Sequence, residues 1–408
     1  MLGPLPTVPP QLAGLRVALI HDWLVSTRGG ESCLASFCRM FPQAPVFTLL
    51  HDPAGMTGPT GQAIAANDIR TTWLQQIPGA TRIHRALLPL FPHAIESIDL
   101  RGFDLVLSTS HCVAKGVIAD PSATHVSYIF TPMRYAYEQL PEYFGEPRFP
   151  LVARAAARYM LHHLRLWDEV SANRVDHFIA ISNHIAERVA TRYRRNASVV
   201  YPPVDMERFA GKPRAERQGH FLMVGAFAPY KRVDLAIEAF NQLKLPLDIV
   251  GGGQDERRLK ALAGPTIRFL GRLGDDDVAR AYADARAFIF PGEEDFGITP
   301  LEAMASGTPV IALGRGGAAE TVLDVSQGKN ATGVLFADQS VAGLVDAVRR
   351  FLQHEDKLSP AAARRQAMKF ARPQFEANMV EALARIVAQD SRVSSSSRPG
   401  GQAPSPRH

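Results

Sequence analysis

Cysteine is scarce in this sequence, and long apolar runs are missing from it. The three thiols, Cys33, Cys38 and Cys112, leave one over in any pairing, and none sits at metal-ligand spacing. That excludes a disulfide scaffold and a cysteine metal site, and predicts buried thiols in a reducing cytoplasm. No apolar stretch approaches the roughly 18 residues of a membrane-spanning helix. Residues 1–14 carry neither a basic n-region nor an apolar h-region, so no secretory signal is expected and the segment reads as a disordered leader. Acids are missing from the end of the chain. After Asp390 come Arg392, Arg398 and Arg407 in a Ser-, Pro- and Gly-rich stretch, 391–408, that reads as a disordered tail. Those three arginines account for three of the five net positive charges, so the remaining body is nearly balanced. No nucleic-acid partner is expected of such a body.

Between leader and tail, apolar runs alternate with helical patterns in two successive series. The first opens at Arg16–Ile20, and the second restarts at Phe221–Val224 after Pro202-Pro203 and a polar, basic boundary. Alternation of this kind predicts an α/β protein of two doubly wound parallel-sheet domains, with ligands at the carboxyl ends of the strands. The domains are placed at 15–210 and 211–373, with a C-terminal helix at 374–390. From about Pro150 to Asn173 a long helix is expected. Arg154, Arg158, His162 and Arg165 form a basic stripe on it beside Tyr159, Met160, Leu164 and Trp167, a pattern that suits either an anionic membrane surface or a core-packing helix.

The most informative stretch is Ala287–Gly307, AFIFPGEEDFGITPLEAMASG. It starts as a buried strand and ends as a short helix, with Thr299 as expected N-cap, Pro300 at the first position and Glu302 closing a capping box. Gly307 and Pro309 stop that helix. The loop between them sets backbone N–H groups and a helix N-terminus beside three carboxylates, a place that favours phosphate. Lys231 and Arg232 lie just past the first strand of the second series and offer positive charge for a diphosphate. Gly29 and Gly30 open a helix after the first strand and let a ligand approach the backbone. Gly314–Ala319 fits the dinucleotide pattern G-x-G-x-x-A, but its strand is late in its domain and its helix short, so it is read as lining the same ligand site.

Glu294 and Glu302, separated by seven residues and set in E-D-F-G-I-T-P-L-E followed by S-G-T-P-V, resemble the signature of retaining glycosyltransferases of the GT-B fold. The runs HDWLVSTRGGE, STSHCVAKGV, TPMRYAY, LRLWDEVSANRVD and PYKRVDLAIEAF are similar to the mannosyltransferase-type subgroup of surface polysaccharide, O-antigen and lipopolysaccharide assembly. This resemblance implies two Rossmann-like domains facing across a cleft. It also implies a metal-independent hexosyltransferase without a cofactor, taking a nucleotide-sugar, first GDP-mannose, to a glycan or lipid-linked acceptor at the cytoplasmic membrane face. It assigns Glu294 to the donor-sugar hydroxyls and Glu302 to the ribose. Lys231, Arg232, Gly29, Gly30, Gly252, Phe296, Gly297, Ile298 and Thr299 go to the donor, Glu294, Lys231 and His111 to catalysis, and Asp22 and Arg134 to the acceptor side. The chain departs from the pattern twice. Phe130 stands where the subgroup usually has histidine, and Ala226 where many members have an arginine. Those departures leave open a non-catalytic scaffold of the same fold, and the pattern also admits a UDP-sugar donor.

Overall fold

The computed structural model describes residues 7–27, 29–133, 137, 151–209 and 219–390, the side chains of 151–157 excepted. The chain divides into two compact units. The first comprises residues up to Ile181, Ile185–Val200 and the chain from Glu376; the second comprises Ser182–His184 and Tyr201–Phe375. The boundary expected at 210 thus falls at 200, and Ser182–His184 groups with the second unit.

Strands of the first unit are β1 (Val17–His21), β2 (Val46–Thr48), β3 (Ile69–Thr71), β4 (Leu105–Ser110), β5 (Thr124–Ile129), β6 (His177–Ala180) and β7 (Ala197–Val199). They form a parallel sheet in the order β3-β2-β1-β4-β5-β6-β7. The second unit holds β8 (Phe221–Ala226), β9 (Leu247–Gly252), β10 (Ile267–Gly271), β11 (Phe288–Phe290), β12 (Val310–Leu313) and β13 (Gly333–Phe336), in the order β10-β9-β8-β11-β12-β13. In each sheet the order reverses beside the first strand. Each unit therefore has a switch point where ligands of doubly wound sheets bind: β1 beside β4, and β8 beside β11.

Central strands are buried on both faces because helices cover both. All residues of β1, β4 and β5 are buried. The edge strand β3 escapes sequence reading because its three residues are partly or fully exposed and carry no apolar run. Pro10–Ala13 forms a helical turn with Leu12 buried, so the reading of 1–14 as a disordered leader does not hold for that turn. The last helix runs Arg372–Gln389. Arg372-Pro373, expected to precede it, belongs to its first turn, where proline costs no hydrogen bond. In the first unit Glu376 of this helix pairs with Arg39 (3.2 Å). The helix Leu151–Ser171 turns Leu161 and Leu164 into the core, with Met160 and Trp167 packed against it, while Tyr159, Leu166 and Val170 are exposed. The three cysteines are buried, and none is in a disulfide. Among the described residues, no helix is long and apolar enough to cross a membrane.

His125 gives the first unit a pH dependence. It is fully buried, with Nε2 2.9 Å from the Ser108 hydroxyl and Nδ1 3.3 Å from the Arg174 carbonyl. Burial pushes its pKa from 6.5 down to about 4, the Arg174 carbonyl and Asp176 opposing. Below pH 6.5 the unfolded chain takes up a proton that the folded chain refuses, so stability present above 6.5 is lost as pH falls toward 4. Denaturant titrations should show this one group removing about 2 kcal/mol between pH 7 and pH 5. A His125→Asn variant with an unchanged slope would exclude His125 as its source.

Candidate active site

In the second unit the site is assembled at the β8/β11 switch point. After β8 the chain makes a short turn, Pro229–Lys231, and enters the helix Val233–Leu243 through Arg232. Arg232 takes the left-handed conformation (φ 54°, ψ 43°), unusual for a non-glycine residue and worth about 1 kcal/mol or more of strain. Such strain concentrates at functional sites. The Arg232 side chain folds onto Asp234 (3.3 Å), and Lys231 Nζ donates to Glu294 Oε1. The expected diphosphate cation and the expected sugar-binding carboxylate, 63 positions apart, are thus brought together as a direct ion pair.

Backbone crowding holds the Glu294 loop. A Cβ on Gly292 would lie 2.6 Å from the Tyr230 carbonyl oxygen, one on Gly316 2.3 Å from that of Glu294, and one on Gly317 2.1 Å from that of Phe296. Gly317 N–H donates to the Glu294 carbonyl (2.9 Å). The glycine run 314–317 therefore clamps the carboxylate loop, and the helix behind it, Ala318–Thr321, is only one turn long. Phe296 is buried against Tyr201 (5.9 Å, stacked) and Phe370 (5.9 Å).

The capping box expected at Thr299 is not formed. The helix runs Ile298–Ala305 from Gly297, a left-handed residue (φ 82°), with no side-chain cap. Thr299 Oγ1 is buried without a partner. Glu302 instead accepts from the Tyr282 hydroxyl (3.0 Å), so its carboxylate carries no capping duty. Burial pushes the Glu302 carboxyl above the ordinary range, with Tyr282 and Arg208 opposing. The helix ends as read: Thr308 N–H reaches the Ala303 carbonyl and Gly307 N–H that of Met304 (2.9 Å each), with Gly307 at φ 79°. Thr308 Oγ1 donates to the Tyr282 carbonyl (2.6 Å), so the stop also holds the partner of Glu302. Gly252, the last residue of β9, lies in a separate glycine-lined pocket.

In the first unit the β1/β4 switch point is organised by Asp22. Its carboxylate, wholly buried, accepts N–H from His111 (2.7 Å), Cys112 (3.0 Å), Val113 (2.6 Å) and Ala114 (2.7 Å), and also contacts His111 Nδ1 (2.8 Å). Burial alone pushes this carboxyl up, but His111, His21 and the amides hold it well below the usual range. Asp22, expected on the acceptor side, is an anchor with no exposed surface. It locks His111, whose ring meets Trp23 edge-on (4.5 Å) and stays partly exposed. The helix Gly29–Met40 starts at the glycine pair, and a Cβ on Gly30 would lie 3.4 Å from Phe130 and 3.7 Å from His21. Sequence reasoning missed His21 and Glu31, a buried pair 3.8 Å apart beside that glycine. Their only signal was that both flank the strand-to-helix loop. Arg134 lies outside the described residues. Ala226 is exposed at the end of β8.

The sequence profile described as "Glycosyl transferases group 1" matches residues 205–370, inside the second unit. A GDP-mannose-dependent alpha-mannosyltransferase of Mycolicibacterium smegmatis is 30% identical over 269 residues, 60% of this chain and 68% of the relative. The chain belongs to the group 1 glycosyltransferases. A family relative from Mycobacterium tuberculosis, also a GDP-mannose-dependent alpha-mannosyltransferase, is 28% identical over 317 residues, 72% of this chain and 79% of its own length. Of two other curated relatives the chain spans less than half the length, 43% and 44%. Among solved structures, the sucrose-phosphate synthase of Thermosynechococcus elongatus has a TM-score of 0.65 at 18% identity, covering 92% of this chain and 100% of its own. That likeness shows the fold: the two Rossmann-like domains are those of GT-B glycosyltransferases, as the resemblance implied.

Proposed function

We propose that this chain moves a hexosyl group from a nucleotide diphosphate donor to a glycan acceptor with retention of configuration, GDP-mannose being the first donor to test. The Lys231–Glu294 pair carries this reading, because a cation for the leaving diphosphate and a carboxylate for the sugar hydroxyls are presented by two adjacent loops at one switch point. The donor sugar is read from the relatives, two of which are named GDP-mannose-dependent. In the proposed step the bond between the anomeric carbon and the phosphate oxygen breaks. A bond to the acceptor oxygen forms on the same face, and the departing phosphate takes the acceptor's proton. Lys231, Arg232 and the amides at 296–299 balance the leaving charge, a role for which no metal is invoked. His111, held at Nδ1 by Asp22, is the group of the first unit that we assign to the transferring sugar or acceptor.

A lipid-linked acceptor at the cytoplasmic membrane face fits the exposed Arg158, Tyr159, His162, Leu166 and Val170 of one helix, which combine positive charge with apolar surface. The rival reading is a non-catalytic scaffold of the same fold. It is favoured by Phe130, whose ring lies against the Gly30 site and 6.4 Å from His111. Purified protein incubated with GDP-mannose, an extracted lipid-linked glycan and a metal chelator discriminates. Mannosylated lipid is the expected product, undiminished by the chelator. GDP at a hundredfold excess over its Kd should also stabilise the fold by about 2.7 kcal/mol in a thermal shift. No product in the presence of clear GDP binding would establish the scaffold.

A further inference from the structure

Each residue of the 293–296 loop is held by a different neighbour, and one carboxylate joins those neighbours. His184 Nε2 faces Glu293 Oε1 at 3.8 Å. The Glu294 carbonyl accepts Gly317 N–H, and the Asp295 carbonyl accepts the Ser182 hydroxyl (2.6 Å). The Phe296 ring stacks on Tyr201. The holders come from three separate stretches of chain: Ser182–His184, Tyr201, and the turn that begins at Gly317. Ser182–His184 joins the second unit as an isolated piece, so noncovalent contacts have to keep it there.

Those contacts converge on Glu320, in the one-turn helix Ala318–Thr321 that starts from Gly317. Oε1 accepts His184 N–H (2.9 Å). Oε2 accepts Asn183 N–H (2.9 Å), Asn183 Nδ2–H (2.7 Å) and the Tyr201 hydroxyl (3.0 Å). Asn183 and His184 open the helix Asn183–Tyr193, and the first N–H groups of a helix have no acceptor within it. Glu320 supplies that acceptor from 137 positions away, with the sign of charge that a helix N-terminus favours. Burial and the Glu320 charge push the Tyr201 hydroxyl up to about 12, so it stays a donor to the carboxylate.

We infer that Glu320 is a positioning residue for Glu294, fixing through this frame the loop that presents the sugar-binding carboxylate to Lys231. The inference rests on the nucleotide-sugar reading above. A capping role alone would stabilise the helix at Asn183 and leave the loop indifferent. The geometry gives more, because the stretches that Glu320 bonds or belongs to are the ones that hold 293–296. Without Glu320, Ser182–His184 and Tyr201 lose their common anchor, and the Glu294 carboxylate loses its fixed place beside the Lys231 ammonium. A misplacement of about 1 Å in such a group costs about 10²-fold in turnover.

Hydrogen exchange on the ligand-free full chain gives the first test. Glu320→Ala is expected to speed exchange at least about tenfold at Gly317 N–H and in the 293–297 segment, with β8 and β11 unchanged. Unchanged protection of that segment would overturn the inference. The second test is a double-mutant cycle with Glu294→Gln, read by steady-state turnover and by calorimetric GDP affinity. Glu320→Ala is expected to lower turnover about 10–100-fold and to shift GDP affinity in the same direction as Glu294→Gln. In the Glu294→Gln background it should add less than about twofold to either. Effects that multiply would show Glu320 acting on the fold at large, and would overturn the inference as well. Glu320→Gln and Ser182→Ala, milder cuts in the same frame, are expected to move both readouts the same way by smaller factors. A wild type that neither binds GDP nor transfers sugar would sink the nucleotide-sugar reading, while the exchange result still decides whether Glu320 fixes the loop.

Discussion

Replacing Glu294 by glutamine is expected to cut turnover by about 10²–10³-fold and, at the same time, to tighten the binding of nucleoside diphosphate. Both effects follow from one contact. Lys231 Nζ is bonded to the Glu294 carboxylate, each side chain being only about one-sixth exposed. An incoming diphosphate competes with that carboxylate for the ammonium, and glutamine removes the competing charge while keeping the shape. Turnover falls because the neutral amide orients the sugar hydroxyls without the carboxylate's charge. Lys231→Ala should behave differently and lose both affinity and turnover. Steady-state kinetics with GDP-mannose, set beside calorimetric Kd values for GDP, separates the two. Full turnover in Glu294→Gln would remove Glu294 from the site, and weaker GDP binding would show that the ion pair assists the nucleotide instead of competing with it.

The second large effect belongs to Asp22. Asp22→Ala is expected to cost about 3–5 kcal/mol, because four backbone N–H groups and a histidine lose their buried acceptor together. His111→Ala should keep stability within about 1 kcal/mol, as its ring is partly exposed, and lose transfer activity. Chemical denaturation and kinetics on the two variants give opposite patterns if Asp22 is the anchor and His111 the working group. A stable, inactive Asp22→Ala would return Asp22 to the acceptor side. The depressed Asp22 carboxyl adds an acid limb: its stabilisation is full above the ordinary value of 3.8 and drains as pH falls beneath it. That limb is distinct from the His125 loss, which is nearly complete by pH 4.

What the sequence determined by itself is what short-range patterns encode. Apolar runs placed the central strands, because a parallel strand covered on both faces is buried along its length and draws mostly on apolar residues. Gly307 marked the helix stop, because only a left-handed residue lets the two reverse hydrogen bonds close. Lys231 and Glu294 stood out because each follows a strand at the end where doubly wound sheets bind ligands. Tertiary structure decided the partners. Thr299 and Glu302 have the spacing of a capping box, yet Tyr282, 20 residues upstream, takes Glu302 and leaves the helix without a side-chain cap. Asp22 reads as a loop acid beside a ligand and is consumed by a turn about 90 residues away. Gly316 and Gly317 fit a dinucleotide pattern in the sequence, where they read as lining the donor site, and in the structure they clamp the Glu294 loop. In each case a local pattern states what a residue is able to do, while the partner that reaches it first is set by packing between segments far apart in the chain.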